Sequence, residues 1–436
     1  MNSNAIKVGA VSLGCSKNTV DTEIMLGELQ ANGFEPVADA SLADIIIVNT
    51  CGFIESAKLD SIKTILEMAQ YKESGNCRFL VMTGCLSQRY RDELPDELPE
   101  VDMFWGVKDY PRFARELAAR FDLSPCRAGC SRRLLTTPDY RAYLRIADGC
   151  DNRCTYCAIP LIRGGRVSVP MEQLISEANA LADSGVTELT VIAQDTSAYG
   201  IDLYGKPMLT ELLKELAAIE KLHWIRLLYT YPNTVTEELI DTMCAEPKIC
   251  NYIDMPIQHI SENMLRRMNR HGSAEHIREI TDYIRRKAPD FILRTTVMLG
   301  FPGETEEDFE ELMHFMSEHP FDRVGAFTYS AEDNTPAAEM PCQIDESVKR
   351  SRLDAIMRRQ QHISLESNRR RIGSVCEALV EEVTEGIAYA RSYAEAADVD
   401  GLIKIELHGE HPLPGDYVNV EITGADIYDL KGKIVK

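Results

Sequence analysis

Residues 142–160 read AYLRIADGCDNRCTYCAIP. An apolar strand pattern, Ala142 to Asp148, runs straight into a loop that holds Cys150, Cys154 and Cys157 in the spacing C-x3-C-x2-C. Three thiolates this close suit three irons of a four-iron, four-sulfur cluster, because soft sulfur ligands match such centres. The fourth iron is then left for a ligand that is not protein, and an open metal position points to chemistry rather than scaffolding. The competing readings are a zinc knuckle and three buried thiols. A zinc knuckle would bring a second closely spaced cysteine pair, and no matching pair follows.

Downstream of this stretch the same strand-then-polar-loop pattern repeats. Strand candidates after 142–148 are 188–194, 224–230, 252–258, 292–300 and 323–330, separated by amphipathic helical stretches such as MEQLISEANALADSG. Repeated βα units with right-handed crossovers build either an open doubly wound sheet or a barrel. Six units fall short of the eight that close a barrel. The expectation is a partial barrel whose lateral opening admits a macromolecular substrate. Functional side chains in such a fold follow the strands. Those positions hold Gln194, Asp195 and Thr196, then Tyr229, Thr230 and Tyr231, then Gln258 and His259, then Gly300 to Glu304, and last Tyr329 and Ser330. The run Gly300-Phe301-Pro302-Gly303-Glu304 stands out, since its glycines permit close backbone approach and its Pro-Gly makes a tight turn.

Upstream lie three more cysteines in one shared context. KVGAVSLGC ends at Cys15, DIIIVNTC at Cys51 and FLVMTGC at Cys85. Continuous Val, Ile and Leu runs alternating with helical patterns, here roughly Thr19–Ala31 and Ser56–Tyr71, read as parallel strands buried on both faces. A further strand is expected around Met103 to Val107. Ligands of an open parallel sheet gather beyond the carboxyl ends of its strands. Cys15, Cys51 and Cys85 therefore belong to one edge and have the makings of a second three-thiolate cluster. Buried cysteine is common, but three in succession at strand ends, with Gly14 and Gly84 beside two of them, favour ligands.

A polar connector, about Asp122 to Tyr140, carries Cys126 and Cys130, which are expected not to be ligands. After the last βα unit comes a basic helical stretch, Asp345 to Arg371, read as a solvated face. Residues 372–436 then change to short β runs with glycine turns, the pattern of a small barrel of the oligonucleotide-binding type. The fold class is α/β: a parallel-sheet domain over 1–122, a partial (βα)6 barrel over 136–370 and a small all-β barrel over 372–436.

The chain has 436 residues, 13 cysteines and a net charge of −22. Its first residues lack a basic start, long apolar stretch and cleavage site, so no export signal is expected. No stretch approaches the roughly 18 uninterrupted apolar residues of a membrane span. A cytoplasmic location without membrane attachment is expected, where cysteines bind metals or react rather than form disulfides. The tail 372–436 holds five basic and thirteen acidic residues, a net of −8. Nucleic-acid binders place a positive groove along the phosphates. An acidic tail argues against direct RNA binding and would attract a strongly basic protein.

The order of these elements resembles the methylthiotransferase family: three strand-end cysteines, then C-x3-C-x2-C, then a small terminal β-barrel. The middle part is similar to the radical S-adenosylmethionine (SAM) core and the tail to the TRAM domain. ADGCDNRCTYCAIPLIRGGRVS, IRLLYTYP, YIDMPIQHIS and TVMLGFPGETEEDF most resemble the branch that methylthiolates an aspartate β-carbon of small-subunit ribosomal protein twelve. The other branches act on adenosine in transfer RNA, which is the alternative substrate. The resemblance implies two [4Fe-4S] clusters and SAM as cofactors. Cys150, Cys154 and Cys157 would hold the SAM-cleaving cluster, and Cys15, Cys51 and Cys85 the auxiliary one. Tyr156 would pack beside the adenine, and Gln194, Gly300 and Pro302 would line the cofactor pocket. An electron donor such as flavodoxin or ferredoxin is implied. Cys77, Cys244, Cys250, Cys342 and Cys376 receive no role.

Overall fold

A computed structural model describes residues 5–123 and 133–435. The chain divides into two compact units. The first comprises residues 1–138, 148–167 and 330–338, and the second residues 139–147, 168–329 and 339–436. The cysteine loop 148–167, contiguous in sequence with the middle barrel, thus packs within the first unit.

In the first unit, strands β1 (Lys7–Ser12), β2 (Glu35–Pro36), β3 (Ile45–Thr50), β4 (Phe79–Gly84) and β5 (Met103–Gly106) form one sheet in the order β2-β1-β3-β4-β5. Every pair is parallel. The run Ile45-Ile46-Ile47-Val48 shows why the sequence has no polar alternation. Ile45 and Ile47 join a core with Val8, Met25, Val81 and Phe113, whereas Ile46 and Val48 join another with Ile65, Leu80 and Met82. Successive side chains point to opposite faces, and both faces are covered. Helix α1 (Ser16–Ala31) supplies Met25, Leu26 and Leu29 to the first core, and α2 (Glu55–Ala69) supplies Ile65 to the second.

In the second unit, strands Arg141–Arg145, Glu188–Ile192, Trp224–Leu227, Ile249–Asp254, Ile292–Leu299 and Arg323–Thr328 stand side by side in chain order. All five pairings are parallel, and the sheet is open. The six expected strands are present, with one shifted. The fourth runs Ile249–Asp254 rather than 252–258, because Pro256 has no amide to give to a ladder. The chain rejoins at Gln258, a single bridge to Val297 held at φ 66°. The third strand stops at Leu227, just before Tyr229 turns to φ 61°.

The tail closes a five-stranded barrel from Val375–Thr384, Ile387–Arg391, Ile403–Glu406, Leu430–Ile434 and Tyr417–Ala425, in that spatial order. Ala378, Val380, Ala388, Ala390, Ile403, Ile405, Val420 and Ile422 fill it. Small alanines on two strands fit a narrow interior. A buried ion network joins this barrel to the six-stranded sheet. Glu188 accepts from Arg226 and Arg391, and all three side chains are buried.

Candidate metal centre

Parallel strands end on one edge, so neighbours deliver their next residues to one place. Strands β1, β3 and β4 are consecutive in the sheet, and Cys15, Cys51 and Cys85 follow them. Cys15 caps the start of α1, Cys51 is half-buried, and Cys85 opens the short buried helix Cys85–Arg89. Two glycines let the loops meet. Gly14 sits at φ 91°, and a Cβ there would stand 2.9 Å from Cys51 Sγ. Gly84 sits at φ 101°, and a Cβ there would stand 2.4 Å from the Thr50 carbonyl. The left-handed φ and the missing side chain are both needed at these positions.

Asn18, fully buried on α1, ties the strand ends together. Its Nδ2 donates to the Leu13 carbonyl at 2.9 Å and the Thr50 carbonyl at 3.0 Å. Ser61 Oγ accepts from the Cys51 amide and donates to the Cys51 carbonyl, each at 3.0 Å. Burial pushes the Cys85 thiol up to about 12, with Arg163 pulling the other way and Cys15 and Cys51 adding to the rise. Burial likewise raises Cys51, which also senses Cys15. The three thiols therefore lie within electrostatic reach of one another. A bound cation reverses such a shift, since a coordinating thiol is deprotonated outright.

The second triplet lies on the loop 149–157. The Cys150 amide donates to the Gly164 carbonyl at 3.1 Å, and the Cys157 amide to the Cys154 carbonyl at 3.0 Å. Gly149 at φ 73° passes so close to Gly165 that a Cβ would stand 2.1 Å from its carbonyl oxygen. Cys150, Cys154 and Cys157 line one cavity of about 280 Å³ together with Arg153, Pro160 and Asn334. Tyr156, between the last two cysteines, is half-buried.

The donor chemistry fits iron–sulfur centres: soft thiolates suit such clusters, and all six thiols are free of disulfides.

A buried arginine that the sequence reading did not single out links Cys85 to Asp148, two residues before Cys150. Arg163 Nη2 donates to Asp21 Oδ2 at 2.8 Å and to Asn18 Oδ1 at 2.9 Å, and lies 3.7 Å from Cys85 Sγ. Its Nη1 donates to Asp148 at 3.0 Å. The local sequence offered little signal: Asn18 and Asp21 are poor helix formers placed early in a helix, and Arg163 merely follows the apolar run IPLI.

The remaining expected cofactor residues lie in the second unit. Gln194 is half-buried, two residues past the strand Glu188–Ile192. Gly300 and Pro302 are buried. The Gly300 amide donates to the Glu304 carboxylate, which also pairs with Arg352 at 3.0 Å. The missing Cβ atoms of the GFPGE run make room for long side chains. A Cβ on Gly300 would stand 2.2 Å from Lys349 Cγ, and one on Gly303 2.6 Å from the Arg267 guanidinium. Cys126 and Cys130 lie outside the described residues. Cys244, Cys250 and Cys376 line a separate cavity beside Trp224 and Tyr393.

Three family models match the chain: an uncharacterized protein family (UPF0004) over residues 7–106, the radical SAM superfamily over 144–316 and the TRAM domain over 372–435. Among curated proteins, the ribosomal protein uS12 methylthiotransferase RimO of Citrifermentans bemidjiense is 48% identical, covering 98% of each chain. The RimO of Geobacter sulfurreducens is also 48% identical, again over 98% of each chain. Among solved structures, the radical SAM methyltransferase TsrM from Kitasatospora setae, with cobalamin and a [4Fe-4S] cluster bound, aligns with a TM-score of 0.56 at 13% identity. That alignment covers 77% of this chain and 74% of TsrM. It speaks to the fold alone.

Proposed function

Because the chain belongs to the ribosomal protein uS12 methylthiotransferase family, we propose that its two cysteine triplets hold the two [4Fe-4S] clusters that its radical SAM chemistry requires. The chain is a transferase, and its substrate is small-subunit ribosomal protein uS12. By role, residues 1–122 carry the auxiliary centre, 136–370 the radical SAM core and 372–436 the substrate-facing tail. Cys150, Cys154 and Cys157 hold the SAM-cleaving cluster, and Cys15, Cys51 and Cys85 hold the auxiliary cluster. When bound, the clusters and SAM supply a carbon-centred radical and the methylated sulfur that replaces one hydrogen of the substrate.

The protein's part is to bind, orient and exclude water. An aspartate β-carbon holds its hydrogen too tightly for a side-chain base of ordinary pKa, which is why a cofactor carries that step. Tyr156 provides a flat half-buried surface for the adenine. Within the second unit, Gln194, Gly300 and Pro302 follow the carboxyl ends of their strands, where ligands of such sheets bind, and are the residues there assigned to SAM. The observation that carries this reading is the placement of Cys15, Cys51 and Cys85 after three consecutive parallel strands, within the same unit as the C-x3-C-x2-C loop.

Charge supports a protein rather than RNA as the tail's partner. Each described cation of the tail is paired with an acid: Arg391 with Glu188 and Glu381, Lys404 with Asp429, Lys431 with Asp426, and Lys433 with Glu421. The few described cations of the tail thus each face a carboxylate, and acids outnumber them. A basic ribosomal protein meets a net charge of −8 instead. The relatives likewise favour uS12 over the transfer-RNA alternative. No helix among the described residues is long and apolar enough to cross a membrane. A cytoplasmic site of action and reduction by a flavodoxin or ferredoxin complete the reading.

The test is incubation of anaerobically reconstituted enzyme, SAM and reductant with purified uS12 and, separately, with transfer RNA. A methylthio group in place of one hydrogen on an aspartate of uS12 is expected by mass spectrometry. Modification of the RNA alone would overturn it.

A further inference from the structure

Arg163 is 9% exposed, contacts Cys85 of one cysteine group, and lies six residues after Cys157 of the other. Asp148, its partner on one side, lies two residues before Cys150. Asp21 and Asn18, its partners on the other side, lie on α1 just after Cys15, and Asn18 also holds the carbonyls of Leu13 and Thr50. The pair Arg163–Asp21 is almost fully buried, with 2% and 1% of the two side chains exposed. Fixing a guanidinium in such a place costs desolvation that good geometry must offset, and the fork here has four acceptors.

One of these acceptors is the Cys85 sulfur at 3.7 Å from Nη2. As a thiol, Cys85 faces Asn18 Oδ1 at 3.7 Å and is placed to donate to it. As a cluster ligand the Cys85 sulfur would be an acceptor only, and Arg163 Nη2 is the donor facing it at 3.7 Å. The contact then becomes charge-assisted and stronger. Hydrogen bonds to cluster sulfurs and nearby charge are among the levers that set an iron–sulfur potential.

We propose that Arg163 is a positioning residue that raises the reduction potential of the centre on Cys15, Cys51 and Cys85, while its fork to Asp148 holds the Cys150 loop at fixed distance from that centre. The proposal rests on the reading that those three cysteines carry an iron–sulfur cluster. Reduction adds negative charge to the cluster. A fixed cation and a donor to sulfur stabilise the reduced form. Asp21, at the same guanidinium, opposes this by partly neutralising it. The two residues therefore predict shifts of opposite sign.

The experiment uses the full chain carrying Cys150→Ala, Cys154→Ala and Cys157→Ala, so that one centre remains, reconstituted anaerobically. Its potential is followed by redox titration monitored by electron paramagnetic resonance. Arg163→Gln should shift it to a lower potential, Arg163→Lys should shift it less, and Asp21→Asn should shift it upward. A merely structural role would lower the melting temperature and iron retention of all three without this pattern of signs. An iron-loaded Arg163→Gln with unchanged potential would overturn the proposal, as would Arg163→Gln and Asp21→Asn moving the same way. Should Arg163→Gln load no iron, Arg163→Lys and Asp21→Asn decide by the same signs. Failure of the starting triple variant to bind iron would count instead against the cluster assignment on which the proposal rests.

Discussion

Arg391 of the closed barrel donates through Nη2 to the Glu188 carboxylate of the six-stranded sheet at 2.6 Å, with both side chains 1% exposed. Burial alone would raise Glu188, but Arg391 and Arg226 outweigh it and bring its pKa from 4.5 to about 2. Glu395 behaves alike: burial raises it, Arg371 and Arg323 lower it more, and it falls from 4.5 to about 2.

A carboxylate whose folded pKa is depressed contributes stability above its unfolded pKa and loses it as pH falls through the folded one. The thermal midpoint should therefore fall steeply as pH drops from 4.5 toward about 2, the span of the Glu188 and Glu395 shifts. Glu188→Gln leaves two buried cations short of a partner, a change that costs roughly 3–5 kcal/mol. Its midpoint at pH 7 should be lower and its acid limb flatter. Scanning calorimetry across pH checks both, and parallel curves for the two proteins would contradict the assignment.

Cys154→Ala should abolish SAM cleavage while leaving about half the iron, because the other triplet is intact. Cys85→Ala should do the converse, keeping cleavage of SAM to deoxyadenosine but losing methylthiolation. Iron analysis and product chromatography read the two effects. Loss of all iron in either variant would contradict independent centres.

Gly14→Ala should disturb the first triplet alone. The added Cβ would stand 2.7 Å from Cys51 Cβ and 2.9 Å from its sulfur, at a φ of 91° that alanine resists. Iron on Cys15, Cys51 and Cys85 should fall several-fold while SAM cleavage persists. Gly33→Ala is the control, since its φ of 91° carries the same strain with nothing within 4 Å.

Substrate capture should depend on salt and on the tail's acids. Glu385, Glu406 and Glu410 are exposed. Replacing all three by lysine should weaken binding of uS12 several-fold at low salt and leave SAM cleavage unchanged. Titration calorimetry at two ionic strengths measures this, and unchanged affinity would remove electrostatic steering from the mechanism.

Much of the fold was legible in the sequence because its signals are local. Runs such as Ile45–Val48 admit little but a strand covered on both faces, and Cys15, Cys51 and Cys85 inherit their common edge from strand order alone. The tail's five strands followed from short β runs and glycine turns. Strand ends were less legible. Asp254 closes its strand because Pro256 follows, and Tyr229 leaves its strand in a left-handed conformation that no composition reveals. Least legible was Arg163. Its partners Asp21, Asn18 and Cys85 lie 142, 145 and 78 residues away in sequence. Nothing in residues 159–165 names them, so only the folded chain exposes the link between the two cysteine groups.

The most direct measurement is iron content with Mössbauer spectroscopy on anaerobically reconstituted protein, beside the Cys15→Ala/Cys51→Ala/Cys85→Ala variant. Two four-iron centres give about eight irons per wild-type chain and about four in the variant, with SAM perturbing the spectrum of the centre that remains. About four irons in the wild type, or no loss in the variant, would contradict the presence of a second centre.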